Sequence, residues 1–353
     1  MARILSVGTA VPANSYSQED LLQIFGITDP KVRSVFLNSA IDRRFLTLPE
    51  PNADGFPAAE DTGRLLAKHK SQGIAMGSRA VQEALKRIGA DISDVRYLCC
   101  TTSTGFLTPG FSALLIKELG LSRHTSRADV VGMGCNAGLN SLNVTSGWAR
   151  GRPGELAVMV CIEACSAAYV FDGTMRSAVV NSLFGDGAAA VAIAAGADRD
   201  AAPGSDLMPR IIDFVSCIIP EAVDAMRYDW DSVHHGFSFY LDPDIPYVVG
   251  ANARATVGQL LQRNGLRQSD IAHWLVHSGG KKVIDAVGVN LGLTRYDLRH
   301  TIGVLRDYGN LSSGSFLFSY ERLLNEESVQ RGEYGLLMTM GPGSTIETAL
   351  VRW

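Results

Sequence analysis

Cys135 follows an apolar run and a Gly-x-Gly turn in VVGMGCNAGLNSL, and it precedes a stretch with the spacing of a helix. Glycine permits the sharp turn that such a junction needs. A thiol at the first turn of a helix meets unpaired N–H groups and the positive end of the dipole, which favour thiolate. A small thiol also suits tight strand–helix packing, because free cysteine behaves as a buried hydrophobe. A nucleophile further requires a base brought from elsewhere in the chain. Of seven histidines, His69, His124, His234, His235 and His300 fall in polar or loop-like contexts, whereas His273 and His277 flank the apolar run HWLVHSGG. His277 ends that run at a Ser-Gly-Gly turn, where a side chain can face a cleft made by strand ends. A strand-end histidine satisfied by backbone is the alternative. Asn310, in RDYGNLSSGSFLF, stands before an apolar helical pattern. It is suited either to cap that helix or to donate an amide N–H to a developing oxyanion. In MGPGSTIE, glycine and proline make a tight loop after an apolar run, where backbone can approach a ligand closely.

The elements that must position these residues alternate along the chain. ARILSVGTAV, VRYLCCTTS, ADVVGMG, LAVMVCIEA, AAAVAIAAG, IAHWLVHSG and YGLLMTMG read as buried strands. Helical patterns such as GIAMGSRAVQEALKRIG and GFSALLIKELG lie between several of them, which indicates an α/β architecture. AAGADRDAAPGSDLMPR, residues 194–210, reads as a connector, dividing the chain into residues 1–199, with the cysteine, and 200–353, with the histidine and asparagine. KRIGADISDVRYLCC and QRNGLRQSDIAHWLVHS share one arrangement, an amphipathic helix ending at glycine, a Ser-Asp pair and a buried strand. The two halves therefore read as a duplication.

Composition narrows the field. With 353 residues and 46% hydrophobic side chains, the chain can bury a substantial core. A net charge of −4 argues against general nucleic-acid binding and requires a local basic cluster for any anionic ligand. No apolar run approaches the ~20 residues of a membrane span. The opening MARILSVGTAVPA reads as a strand rather than a leader, so a cytoplasmic location is expected. The six cysteines lack the His/Cys clustering of a zinc site, so no metal is expected.

Taken in order, GMGCNAGLNSL, SLFGDGAAA, HWLVHSGG, DYGNLSSGSFLF and GPGSTIETALVRW resemble the thiolase-fold condensing enzymes, specifically the type III polyketide synthases related to chalcone synthase. The resemblance runs over nearly the whole chain. It implies a five-layered αβαβα fold built from two duplicated halves. It also implies a homodimer that uses malonyl-CoA as substrate and needs no cofactor, and it leaves room for accessory pathway enzymes as partners.

For individual residues, the resemblance implies that Cys135 carries the growing acyl chain as a thioester and that His277 pairs with it as imidazolium. His277 and Asn310 would also donate to the thioester carbonyl of malonyl-CoA during decarboxylation. Phe184 and Phe239 would be gatekeepers between a CoA tunnel and the cavity. Thr108, in LTPG, would reach into the partner's cavity. Cys165 and Ala168 stand where chalcone synthase has threonines, and Met340 where it has a phenylalanine, which argues against a bulky aromatic starter. Of the family's basic CoA contacts only Lys31 is retained, Ser34 and Asn38 replacing the others. Arg33 and the SGGKK turn, with Gly279, Gly280, Lys281 and Lys282, could compensate through phosphate or carboxylate contacts. VRSVFLNSAIDRRFLTLPE, STGFLTPG and EACSAAYVFDGTMRSAVVNSLFGDG narrow the resemblance further. They imply four malonyl units closed into a dihydroxyphenyl ring that is kept as a CoA thioester.

Overall fold

The computed structural model describes residues 1–168, 175–196, 208–232 and 236–353. Most of the expected connector, residues 197–207, lies outside these, as do His234 and His235. The first half contains β1 (Ala2–Ala10), β2 (Ser15–Ser17), α1 (Gln18–Ile24), α2 (Pro30–Leu37), β3 (Arg43–Phe45), α3 (Thr62–Arg87) and β4 (Val95–Thr102). It continues through α4 (Phe111–Leu119), β5 (Ser126–Val131), α5 (Ala137–Arg150), β6 (Leu156–Glu163), α6 (Met175–Leu183) and β7 (Gly187–Ala195). The second half contains β8 (Arg210–Ile218), β9 (Met226–Asp231), β10 (Gly236–Leu241), α7 (Ile245–Arg263), β11 (Ile271–Val276) and α8 (Lys281–Leu291). It ends with α9 (Arg299–Tyr308), α10 (Ser315–Asn325), β12 (Tyr334–Gly341) and β13 (Thr345–Arg352).

Nine strands hydrogen-bond in the order β11-β12-β13-β8-β1-β7-β6-β4-β5. The two halves of this sheet meet along a thin seam, where β1 pairs with β8 only at Arg3 and Arg210. Helices α5 and α10 pack on strands of both halves, α3 and α4 cover the outer face of the first, and α7 and α8 that of the second. The result is the thiolase-like stack of helix, sheet, helix, sheet, helix.

Strand chemistry follows from this layering. Along β7, Ala189, Val191 and Ile193 enter the central core, while Ala188, Ala190, Ala192 and Ala194 enter the core beneath α3. A strand covered on both faces needs apolar residues at every position, which gives the unbroken run AAAVAIAA. Before β4 and β11 the two halves share one local device. The 3₁₀ turns Ile92–Asp94 and Gln268–Asp270 each end in an aspartate whose carboxylate accepts the backbone N–H three residues back, of Asp91 at 2.9 Å and Arg267 at 2.8 Å.

Two sequence expectations fail. His69 lies in α3 and His300 in α9, both buried rather than in loops, because each faces the packed side of its helix.

Candidate active site

Cys135 sits in the 3₁₀ turn Gly134–Asn136 that leads from β5 into α5. Gly134 adopts φ 73°, and a Cβ there would come 2.4 Å from Cδ of Pro342 in the β12–β13 turn. Only glycine meets both demands, so the second half of the chain closes directly on the cysteine's turn. The Cys135 side chain is half-buried, and its Sγ accepts a hydrogen bond from Ser312 Oγ at 3.4 Å.

His277 follows β11 immediately. Its N–H donates to Met338 O at 2.8 Å, which extends the parallel pairing with β12 by one residue. The side chain is 2% exposed, and Nδ1 has no hydrogen-bond partner among the described residues. Gly279 borders the imidazole, since a Cβ there would lie 3.1 Å from Cδ2 and 3.3 Å from Nε2.

Asn310 forms an isolated parallel bridge with Phe184. Its N–H donates to Leu183 O at 2.9 Å, and its carbonyl accepts from Gly185 N–H at 3.0 Å. The side-chain Oδ1 accepts the N–H of Ser312 at 2.8 Å, which turns the amide so that its NH₂ points away from that bond. Asn310 does not cap α10, whose N-cap is Gly314, because the 3₁₀ turn Ser312–Gly314 stands between them. The oxygen instead closes a local turn onto the first residue of that 3₁₀ turn.

Behind these groups lies Glu163, fully buried at the end of β6. Its Oε2 accepts from Ser103 N–H at 3.0 Å and Ser103 Oγ at 3.1 Å, while Oε1 accepts from the N–H and Oγ of Ser313. Ser103 Oγ lies 2.8 Å from Ser312 Oγ, so these two hydroxyl groups stand between Glu163 and Cys135. Burial pushes the Glu163 carboxyl up to about 7 despite these donors. Sequence reasoning passed over Glu163, although a carboxylate closing the apolar strand LAVMVCIE was the signal for it.

Burial acts against charge on both members of the pair that the resemblance implies. Burial pushes the Cys135 thiol up to about 12, against the lowering effect of the Ser312 hydroxyl. It also drives the His277 imidazole down to about 3. Desolvation thus opposes charge on each group taken alone, against the help that the helix end and the hydroxyl give to a thiolate.

The remaining residues fall into three groups. Phe184 and Phe239 are buried and meet edge to face with centroids 6.1 Å apart. They share one buried apolar cluster with Cys165 and Met340, against which Cys135 packs, and Ala168 ends the 3₁₀ turn that begins at Cys165. Thr108 is exposed on the loop before α4. Among the basic residues, Arg33 is tied to Glu19 at 2.9 Å and Lys281 to Asp285 at 2.8 Å, whereas Lys31 and Lys282 are exposed. Helix α2, which carries Lys31, packs on α6. Gly280, before the first residue of α8, faces Leu183 at the end of α6, so both α2 and the start of α8 adjoin that helix.

Residues 1–198 match the family of chalcone and stilbene synthases, N-terminal domain, and residues 214–353 the C-terminal domain of the same family. The chain belongs to the chalcone and stilbene synthases. This places it among the type III polyketide synthases, which are decarboxylative condensing enzymes. It is 68% identical over 351 residues to 3,5-dihydroxyphenylacetyl-CoA synthase of Streptomyces toyocaensis, covering 99% of this chain and 90% of that one. The crystal structure of PKS-I from the brown alga Ectocarpus siliculosus superposes with a TM-score of 0.90 at 25% identity, covering 99% of this chain and 98% of that one. The 1,3,6,8-tetrahydroxynaphthalene synthase of Streptomyces coelicolor A3(2), a bacterial type III polyketide synthase, gives a TM-score of 0.88 at 26% identity and covers 99% of each chain. Within this chalcone synthase fold, the two halves bring Cys135, Ser312 and Asn310 into one hydrogen-bonded site.

Proposed function

We propose that this chain condenses four malonyl-CoA molecules into 3,5-dihydroxyphenylacetyl-CoA, with Cys135 as the acyl carrier. The observation that carries this reading is the 68% identity to a 3,5-dihydroxyphenylacetyl-CoA synthase across 99% of the chain, against 26% to the tetrahydroxynaphthalene synthase. Product analysis with malonyl-CoA as sole substrate tests it.

In this reading one malonyl unit loses CO₂ and is loaded on Cys135 as an acetyl thioester, with release of CoA. The attacking Sγ gives its proton to His277, so the ion pair exists during acyl transfer rather than before it. For each extension, a second malonyl-CoA loses CO₂. The negative charge that develops on its thioester oxygen is met by the Asn310 NH₂ and by His277. Donors already fixed at that point need no reorganisation, and each is worth roughly 3 kcal/mol of barrier. The enolate carbon attacks the Cys135 thioester, displacing the thiol and leaving the longer chain on CoA. Two such products return to Cys135, each releasing CoA, and the third stays on CoA. Aldol closure of the terminal methyl carbon on the ketone nearest the thioester methylene, with loss of water, gives the ring. Four malonyl-CoA thus yield one product thioester, four CO₂, three CoA and one water. The carbanion comes from decarboxylation, so this route calls for no metal or redox cofactor.

Phe184 and Phe239 are assigned to the neck between the CoA channel and the cavity, with Cys165, Ala168 and Met340 in its wall. Lys31 and Lys282 are the cations assigned to the CoA phosphates, because Arg33 and Lys281 already hold carboxylates. A homodimer completes the reading. Among the described residues, strand β5 ends the sheet with one edge unpaired. Phe106, Val131 and Val144, at 79%, 47% and 50% exposure, present apolar surface on β5, on the Thr108 loop and on α5. Sedimentation of the purified protein tests the dimer.

A further inference from the structure

Arg44 is the largest fully buried side chain among the described residues, 1% exposed, yet no carboxylate oxygen reaches it as an ion-pair partner there. A guanidinium held away from water without a counter-ion is costly, so its contacts need a reason. Its Nη1 donates to Phe184 O at 2.7 Å and its Nη2 to Gln18 Oε1 at 2.9 Å, while Nε has no partner among the described residues. Gln18 in turn donates from Nε2 to Ser182 O at 2.7 Å. Three consecutive carbonyls at the end of α6 are therefore each taken by a different long-range donor. Ser182 goes to Gln18, Leu183 to the N–H of Asn310, and Phe184 to Arg44.

The stem of the same side chain lies under the other half of this bridge. Gly309, immediately before Asn310, adopts φ 74°, and a Cβ there would come 2.9 Å from Cδ of Arg44 and 2.6 Å from Leu183 O. The strand that carries Arg44 also grips the next segment of the chain, because Phe45 O accepts Asp186 N–H at 2.8 Å and Thr47 N–H donates to the Asp186 carboxylate at 2.9 Å. Burial lowers the guanidinium pKa to about 9 while the fields of Asp186 and Cys165 hold it up, so the charge persists at neutral pH. A cation at the carbonyl end of α6 is also favoured by the helix dipole.

We infer that Arg44 is a positioning residue for decarboxylation: by fixing Phe184 O and underlying Gly309, it holds the Phe184–Asn310 bridge and so sets where the Asn310 amide meets the substrate carbonyl. This rests on the reading of Asn310 as the donor to malonyl-CoA. It assigns no contact between Arg44 and substrate. Small displacements of such a donor are sufficient to lose much of its effect.

The test measures CO₂ released from malonyl-CoA per folded enzyme, together with iodoacetamide labelling of Cys135. Arg44→Met is expected to lower the decarboxylation rate about tenfold or more while Cys135 labelling stays within about twofold. Arg44→Lys, which can still reach one carbonyl, should recover part of that loss. Combined with Asn310→Ala, Arg44→Met should cost no more than Asn310→Ala alone, since coupled residues are not additive. A wild-type rate in Arg44→Met, or losses that simply multiply in the double variant, overturns the inference. If Arg44→Met does not fold, Arg44→Gln serves, because the shorter amide side chain gives up the Nη1 bond to Phe184 O and keeps a polar group at the site. A partial loss of decarboxylation supports the inference and an unchanged rate overturns it. Absence of CO₂ release by the wild-type enzyme would instead overturn the reading of the reaction itself.

Discussion

Ser312 joins the two halves of the site. Its Oγ donates to Cys135 Sγ at 3.4 Å, and its backbone N–H donates to Asn310 Oδ1 at 2.8 Å. One residue thus orients both the nucleophile and the amide donor. Because burial pushes the thiol up to about 12, iodoacetamide labelling of Cys135 should rise about tenfold per pH unit from pH 6 to 9, without a plateau. Ser312→Ala should slow labelling severalfold at each pH, since a hydroxyl bond to a developing thiolate is lost. A pH-independent labelling rate over that range would show a resting ion pair instead.

Asn310→Ala should reduce malonyl-CoA decarboxylation roughly a hundredfold, the typical cost of losing one oxyanion donor. Acylation of Cys135 by an acyl-CoA that needs no decarboxylation should be far less affected. Rapid-quench measurement of each half-reaction separates the two. Equal losses in both would remove Asn310 from its assigned place.

Glu163 gives a pH signature in stability. Its folded pKa, raised to about 7 from an ordinary 4.5, means the native state holds a proton that the unfolded chain has lost. Its contribution is therefore full below about pH 4.5 and disappears as pH rises through about 7. The whole effect is about 3 kcal/mol. Glu163→Gln should flatten that fall, read as the difference in urea midpoint between variant and wild type at pH 5 and pH 8. The comparison with wild type matters because His277, with its lowered pKa, acts with the opposite sign, losing stability as pH falls below about 6.5.

The sequence was most readable where one physical demand dominated. The run at β7 could only be a strand buried on both faces, and Gly-x-Gly before Cys135 correctly indicated a tight strand–helix turn. Strands β8 and β13 were harder, since Asp213 and Ser216 interrupt the apolar pattern of β8. Asp213 meets Arg263 and Asn264 from α7, and Ser216 meets Glu347 from β13, partners that no local window contains. Arg44 was invisible as a buried group for the same reason, because its acceptors are the carbonyl of Phe184 and the side chain of Gln18. The burial that opposes charge on Cys135 and His277 was not legible either, because a helix end is visible in sequence while the packing around a side chain is not.

The most direct test is mass analysis of the products formed by the purified protein from malonyl-CoA alone. The account predicts 3,5-dihydroxyphenylacetyl-CoA, with four CO₂ released per product. A five-unit naphthalene product, or no product without a fatty acyl starter, would contradict it.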